Sequence, residues 1–180
     1  AQTVSTVAGM AGVVGSADGP AASASFNNPH GVACDPQGNI YVANRYGHNI
    51  RKITPAGVVS TFAGSGSPGA NDGTGTAASF NEPWAVACDT LGNIYVADTK
   101  NYKIRKITSA GVVTTVAGTG VFGVTNGPVA TAQFGFPVGI AVNKVGSAIY
   151  VADRMTHTIR KIAGGQVTTH AGVVYSPGST

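Results

Sequence analysis

Charge is scarce in this 180-residue chain: Asp, Glu, Lys and Arg together make up 10% of it. A nucleic-acid surface needs a dense basic stripe, and a net charge of +4 does not supply one, which argues against nucleic acid as a partner. With hydrophobic residues at 43% and 26 glycines, the remaining surface must be mostly Ser, Thr, Asn and Gly. Such a surface suits a secreted or cell-surface protein. Apolar runs are short, and none approaches the roughly 20 residues of a membrane-spanning helix. No signal peptide is present; the start Ala1-Gln2-Thr3, without Met, is what its removal would leave, although recombinant expression would look the same. No segment keeps a helical period, because Gly or Pro interrupts every candidate, which argues against a helical architecture.

What the chain has is repetition. Phe26, Phe80 and Phe134, spaced by 54 residues, head three matching segments. In each, a Pro-led apolar stretch precedes an Ile-Tyr-Val-Ala run, then Ile-Arg-Lys-Ile, then Val-x-Thr-x-Ala-Gly. A fixed period of this length marks a repeat architecture. The copies also act as controls on one another. Cys34 and Cys88 are equivalent, and the third copy has Val142 there, so the position asks for a small apolar side chain. Both cysteines are expected to be free, buried thiols, because equivalent positions in adjacent units tend to exceed the roughly 7 Å Cα separation of a disulfide. Six of the eleven basic residues form the repeated pairs Arg51-Lys52, Arg105-Lys106 and Arg160-Lys161. These belong to the scaffold, with each Arg expected to cross a neighbouring unit and bond exposed carbonyls.

The second copy shows how one unit is built. Trp84–Cys88, Ile94–Ala97, Lys103–Ile107 and Val112–Ala117 read as four strands separated by turn sequences. A Gly-rich loop then leads to the next Phe. Four short antiparallel strands repeated radially make a β-propeller blade, so the fold class is all-β with three four-stranded blades. The repeats run over about 26–64, 80–118 and 134–172 within one domain spanning 1–180.

Gly-Asn-Ile-Tyr-Val-Ala-Asp at 92–98 followed by Asn101–Ile107 closely resembles the NHL repeat, as does Gly-Asn-Ile-Tyr-Val-Ala-Asn at 38–44 followed by Gly47–Ile53. The third copy departs, with one extra residue in 146–149 and Thr156-His157-Thr158 in place of the usual triplet. The long loops resemble those of bacterial extracellular members. The resemblance implies a propeller that most often closes with six blades, with ligands met at the channel mouth. The family includes enzymes, RNA binders and protein-binding scaffolds.

Three blades do not close a ring, so a homodimer of two half-rings is expected, with an open polymer as the variant. The Val-x-Thr-x-Ala-Gly strand occurs four times, and its surplus copy at 4–9 would compete with the last strand of a partner. One terminal strand is therefore expected to be displaced, to add as a fifth strand, or to mediate a further contact. Candidate site residues are those that differ between copies near the mouth. Asn28, His30, Glu82, Trp84 and Phe136 flank the fixed prolines. Arg45, His48, Lys100, Tyr102, Arg154 and His157 lie in the loops between second and third strands. They form either ordinary packing differences or a shallow pocket whose aromatic platform and basic rim suit a protein, peptide or glycan.

Catalytic patterns are thin, and no metal or cofactor is expected; His30 and Glu82 are the only seeds of a channel-mouth metal site. Asp18, Asn71, Asp72 and Asn126 are expected to stabilise turns rather than bind calcium. The strand-ending Asn44, Asp98 and Asp153 are expected to cap theirs. The expected role is a non-catalytic extracellular binding or assembly module; the alternative is a metal-dependent lyase or lactonase-like hydrolase.

Overall fold

The computed structural model describes residues 2–174, and these form three consecutive antiparallel sheets with no α-helix. The first sheet contains β1 (Gly19–Pro20), β2 (Pro29–Cys34), β3 (Ile40–Asn44), β4 (Asn49–Ile53) and β5 (Val58–Ala63). The second contains β6 (Gly73–Thr74), β7 (Pro83–Cys88), β8 (Ile94–Asp98), β9 (Lys103–Ile107) and β10 (Val112–Ala117). The third contains β11 (Gly127–Pro128), β12 (Pro137–Val142), β13 (Ala148–Asp153), β14 (Thr158–Ala163) and β15 (Gln166–Ala171). Among the described residues, no helix is long and apolar enough to cross a membrane.

Each sheet has five strands rather than the expected four, in the order β1-β5-β4-β3-β2 and its equivalents. The fifth is a two-residue piece of the long connecting loop, laid along the outer strand with Gly19 opposite Val59 and Pro20 opposite Val58. It is too short, and too rich in Gly and Pro, to carry a strand signature. Its effect is to cover an otherwise unpaired sheet edge, and in the first and third sheets Pro20 and Pro128 offer no N–H for further pairing. The surplus Val-x-Thr-x-Ala-Gly segment at 4–9 is not a strand: Val4 is fully exposed and only its far end is held. There Gly9 donates its N–H to the Ala21 carbonyl at 2.8 Å, as Gly64 does to Gly75 and Gly118 to Val129.

The core lies between sheets. Tyr41, Ala43, Ile50 and Ala63 of the first blade pack on Phe80, Val86, Ile94 and Val96 of the second. Tyr95, Ala97, Ile104 and Ala117 repeat that face against Phe134, Ile149, Val151 and Ile162 of the third. In the second strand of each blade, alternation puts Tyr and Ala on the trailing face and Ile and Val on the leading face, so each blade is apolar on both sides. Burying Phe80 or Phe134 completely contributes about 1.5–3 kcal/mol each.

Behind each of these Phe rings sits a buried Arg. Arg51, Arg105 and Arg160 do not cross a neighbouring blade to exposed carbonyls; they clamp the long loop of their own repeat. Arg105 donates to the carbonyls of Ser79 (3.2 Å) and Asn71 (2.8 Å) and to the carboxylates of Asp98 (2.8 Å) and Asp72 (2.7 Å). Arg51 meets Ser25, Ala17 and Asp18 in the same way, and Arg160 meets Gln133, Thr125 and Asn126. The loop acidic and amide groups thus serve the clamp rather than local turns. Asn44, Asp98 and Asp153 make no side-chain cap to the turns they precede. Instead they accept the N–H of Asn27, Asn81 and Gly135, tying the start of each blade to the end of its second strand.

Neither cysteine is buried: Cys88 is half-buried and Cys34 is exposed, and both are free. Cys34 lies beside Val32 on the leading face of the first blade, which no preceding blade covers.

Candidate functional site

The innermost strand of each blade starts with an irregularity. Pairing skips from Pro29 to Val32, from Pro83 to Ala85 and from Pro137 to Gly139. His30, Trp84 and Val138 fall in these bulges, which re-aim a side chain away from the regular alternation of the strand. At the same end, the second and third strands are joined by single 3-10 turns at Arg45–Gly47, Thr99–Asn101 and Arg154–Thr156. The turns are tied to the incoming loops, with the Arg45 N–H on the Asn28 carbonyl and the Tyr46 N–H on that of Asn27. Loop ends and turns therefore share one face.

On that face the structure brings together residues from all three blades. The His30 and Trp84 ring centroids are 4.4 Å apart, and Trp84 meets Phe136 edge-on at 6.0 Å. The Arg45 guanidinium lies over Trp84 at 4.1 Å and over Tyr46 at 4.5 Å. The Lys100 ammonium lies over Phe136 at 5.6 Å. The result is a ladder running Tyr46, Arg45, Trp84, Phe136 and Lys100, each cation–π contact contributing about 0.5–1 kcal/mol at exposed sites.

Glu82 is held by two neighbours from the first blade. Arg45 donates to its carboxylate through Nε at 3.1 Å and Nη2 at 2.6 Å. Its backbone N–H donates to Nδ1 of His48 at 3.2 Å. Glu82 sits at φ 48, a left-handed conformation unusual for Glu, and its equivalent Asn28 at φ 55. These partners offset the backbone strain. They also separate His30 from Glu82 as metal-site seeds, because the carboxylate is committed to Arg45. Among the described residues, no three of His, Cys, Asp and Glu gather as metal ligands.

Burial holds His48 below its ordinary value, with the Glu82 charge acting in the opposite direction. His30 is lowered too, by burial first and then by the Arg45 charge, while its hydrogen bond with the Trp84 backbone acts to raise it. The neutral form of His48 is the one whose Nδ1 can accept the Glu82 N–H. A histidine lowered in the folded state stabilises the fold fully above its unfolded value of about 6.5, and that stability is lost as pH falls through the folded value. The thermal midpoint is expected to drop on acidification from pH 7.5 towards 5, with a shallower slope in His48→Asn. An unchanged slope in that variant would remove His48 from the latch.

The remaining sequence candidates lie elsewhere. Tyr102 packs edge-on against Phe122 of the following loop. Arg154 and His157 line a cleft of about 260 Å³ at the free edge of the third blade. Tyr46, which the sequence places beside Arg45 in the same loop, joins the ladder.

A radially packed meander repeated three times, with inner strands side by side, is a run of β-propeller blades. The NHL repeat family model matches residues 26–53 and 80–107, leaving the divergent third copy unmatched. The chain belongs to the NHL-repeat family. It is 30% identical over 151 residues to human NHL repeat-containing protein 2, covering 76% of this chain and 21% of that protein. A structural-genomics protein of unknown function from Bacteroides thetaiotaomicron superposes with a TM-score of 0.70 at 29% identity, over 83% of this chain and 38% of that one. An auxiliary nutrient binding protein from Bacteroides ovatus superposes with a TM-score of 0.66 at 26% identity, over 78% and 38%. The chain spans between 9% and 21% of the length of the curated relatives it matches.

Proposed function

We propose that this chain is an extracellular, non-catalytic binding module whose ligand site is the mouth face around Trp84. The observation that carries the reading is the ladder in which Arg45 lies over Trp84 and Lys100 over Phe136, with His30 beside Trp84. Aromatic faces bordered by cations suit a saccharide carrying carboxylate or sulfate groups: the rings take its apolar faces and the cations its charges. Arg45 spends Nε and Nη2 on Glu82, so Nη1 is the donor it offers to such a ligand. The likeness to the auxiliary nutrient binding protein of Bacteroides ovatus supports this reading, as does the lightly charged, hydroxyl-rich surface. The three blades act as half of a six-bladed ring completed by a second copy.

The test is calorimetric titration with polygalacturonate and with a neutral glucan of matched length. The acidic polymer is expected to bind, and Trp84→Ala to weaken it about tenfold or more, as for a buried aromatic anchor. Tyr102→Ala, away from the ladder, should bind as the parent does. Equal affinity for the neutral glucan, or indifference to Trp84→Ala, would end the anionic-saccharide reading.

A further inference from the structure

Among the described residues, the two ends of the blade run are uncovered copies of faces that meet inside it. On the leading side, Val32 is 65% exposed where its equivalent Val86 is 6% exposed. Phe26 and Ile40 are partly open where Phe80 and Ile94 are fully buried. On the trailing side, Ile159 is 38% exposed where Ile50 and Ile104 are fully buried. Tyr150, Ala152 and Ala171 lose their cover in the same way. Each internal junction joins one trailing face to one leading face, so the free trailing face of the third blade is shaped for the free leading face of the first.

The polar fittings at the rim repeat as well. Arg45 and His48 grip Glu82 across the first junction. In the third blade the same two positions hold Arg154 and His157, with His157 at φ 56 matching His48 at φ 50. The position equivalent to Glu82 on the first blade is Asn28, also left-handed.

We propose that a second copy of this chain docks head-to-tail, with Arg154 of one copy latching the partner's Asn28. Arg154 donates to the partner's Asn28 amide oxygen. The trailing face of Tyr150, Ala152 and Ile159 covers Phe26, Val32 and Ile40 of the partner. This rests on the half-ring reading above and names the contact that makes it.

The segment at 4–9 must yield in such a contact. Ala8 packs beside Phe26 as Ala63 packs beside Phe80, which is the place the last residue of the partner's β15 would take. β15 is anchored in its own blade, paired along β14 and with Val167 fully buried, whereas residues 4–9 pair with no strand. The N-terminal segment is therefore the one displaced.

The experiment is sedimentation velocity on the full chain and on variants over a concentration series. The parent is expected to self-associate, and Asn28→Glu to tighten association about tenfold by recreating the Arg–Glu pair of the internal junction. The gain should vanish in Asn28→Glu combined with Arg154→Ala. Association driven by unfolding would persist in that double variant, so its reversal marks a specific contact. Deleting residues 1–9 should also tighten association. A ladder of larger species with the same responses supports the same contact in an open chain. A dimer indifferent to Asn28→Glu, or one abolished by the deletion, overturns the latch and leaves the half-ring reading standing. A monomer at all concentrations for every variant overturns both, while the saccharide titration remains independent of either outcome.

Discussion

Arg105→Met is expected to lose about 3–5 kcal/mol of folding stability, the usual result of removing one partner from a buried ion pair. The guanidinium is fully buried and joins two stretches of the long loop to the end of β8. Its loss strands the Asp98 carboxylate, which is itself fully buried and is pushed up to about 6 by burial even with three donors around it. Without the cation that carboxyl must take up a proton or admit water. Two loop carbonyls lose their donors in the same step.

The repeat supplies the comparison. Arg51 has neutral Asn44 where Arg105 has Asp98, and its acidic partner Asp18 is half exposed. Arg51→Met therefore leaves no buried charge behind and should cost clearly less than Arg105→Met. Urea unfolding of the two variants decides the matter. If Arg51→Met were the more damaging, the stranded carboxylate would not be the source of the cost.

Gly31→Val is the second substitution with a large expected effect, about 3 kcal/mol or more, because it forces volume against backbone. A Cβ at Gly31 would lie 2.7 Å from Ala85 Cα, 2.9 Å from the Trp84 carbonyl oxygen and 3.1 Å from the Val86 nitrogen. None of these atoms can rotate away, so the first two inner strands must separate. That separation moves His30 from Trp84, and Trp84 is the single tryptophan of the chain, so its emission reports the change directly. Gly139 holds the same place in the third blade, but a Cβ there meets only the Ala152 side chain at 3.1 Å. Gly139→Ala should be mild while Gly31→Ala already destabilises and shifts the Trp84 emission. Equal effects at the two positions would show that the inner strands are not in the contact described.

The alternation and turn signals of each copy were legible because they are local: β-branched and aromatic runs, Gly and Pro at the corners, a period of 54 residues. The same comparison of copies picked out His30, Glu82, Trp84 and Phe136 as places where the repeat is broken. It could not say what they touch. Arg45, from the other side of a blade junction, occupies both Glu82 and Trp84, and no spacing in the chain encodes that meeting. The buried role of Arg51, Arg105 and Arg160 was hidden for a similar reason. The repeat marked each Arg as scaffold that bonds carbonyls of a neighbouring unit, and only the fold shows it turned inward to clamp the long loop.

By itself, the order of residues determined an all-β chain of three like units with apolar side chains on both faces of every sheet. Backbone propensity and side-chain alternation act within a few residues of each other, so the sequence carries them openly. Tertiary structure decided which faces are covered. It placed a fifth strand on each blade, left the segment at 4–9 unpaired, exposed Val32 and Ile159 at the two ends, and gathered the cation–aromatic ladder at the mouth. These depend on how one blade packs against the next, a distance of 54 residues along the chain but of van der Waals contact in space.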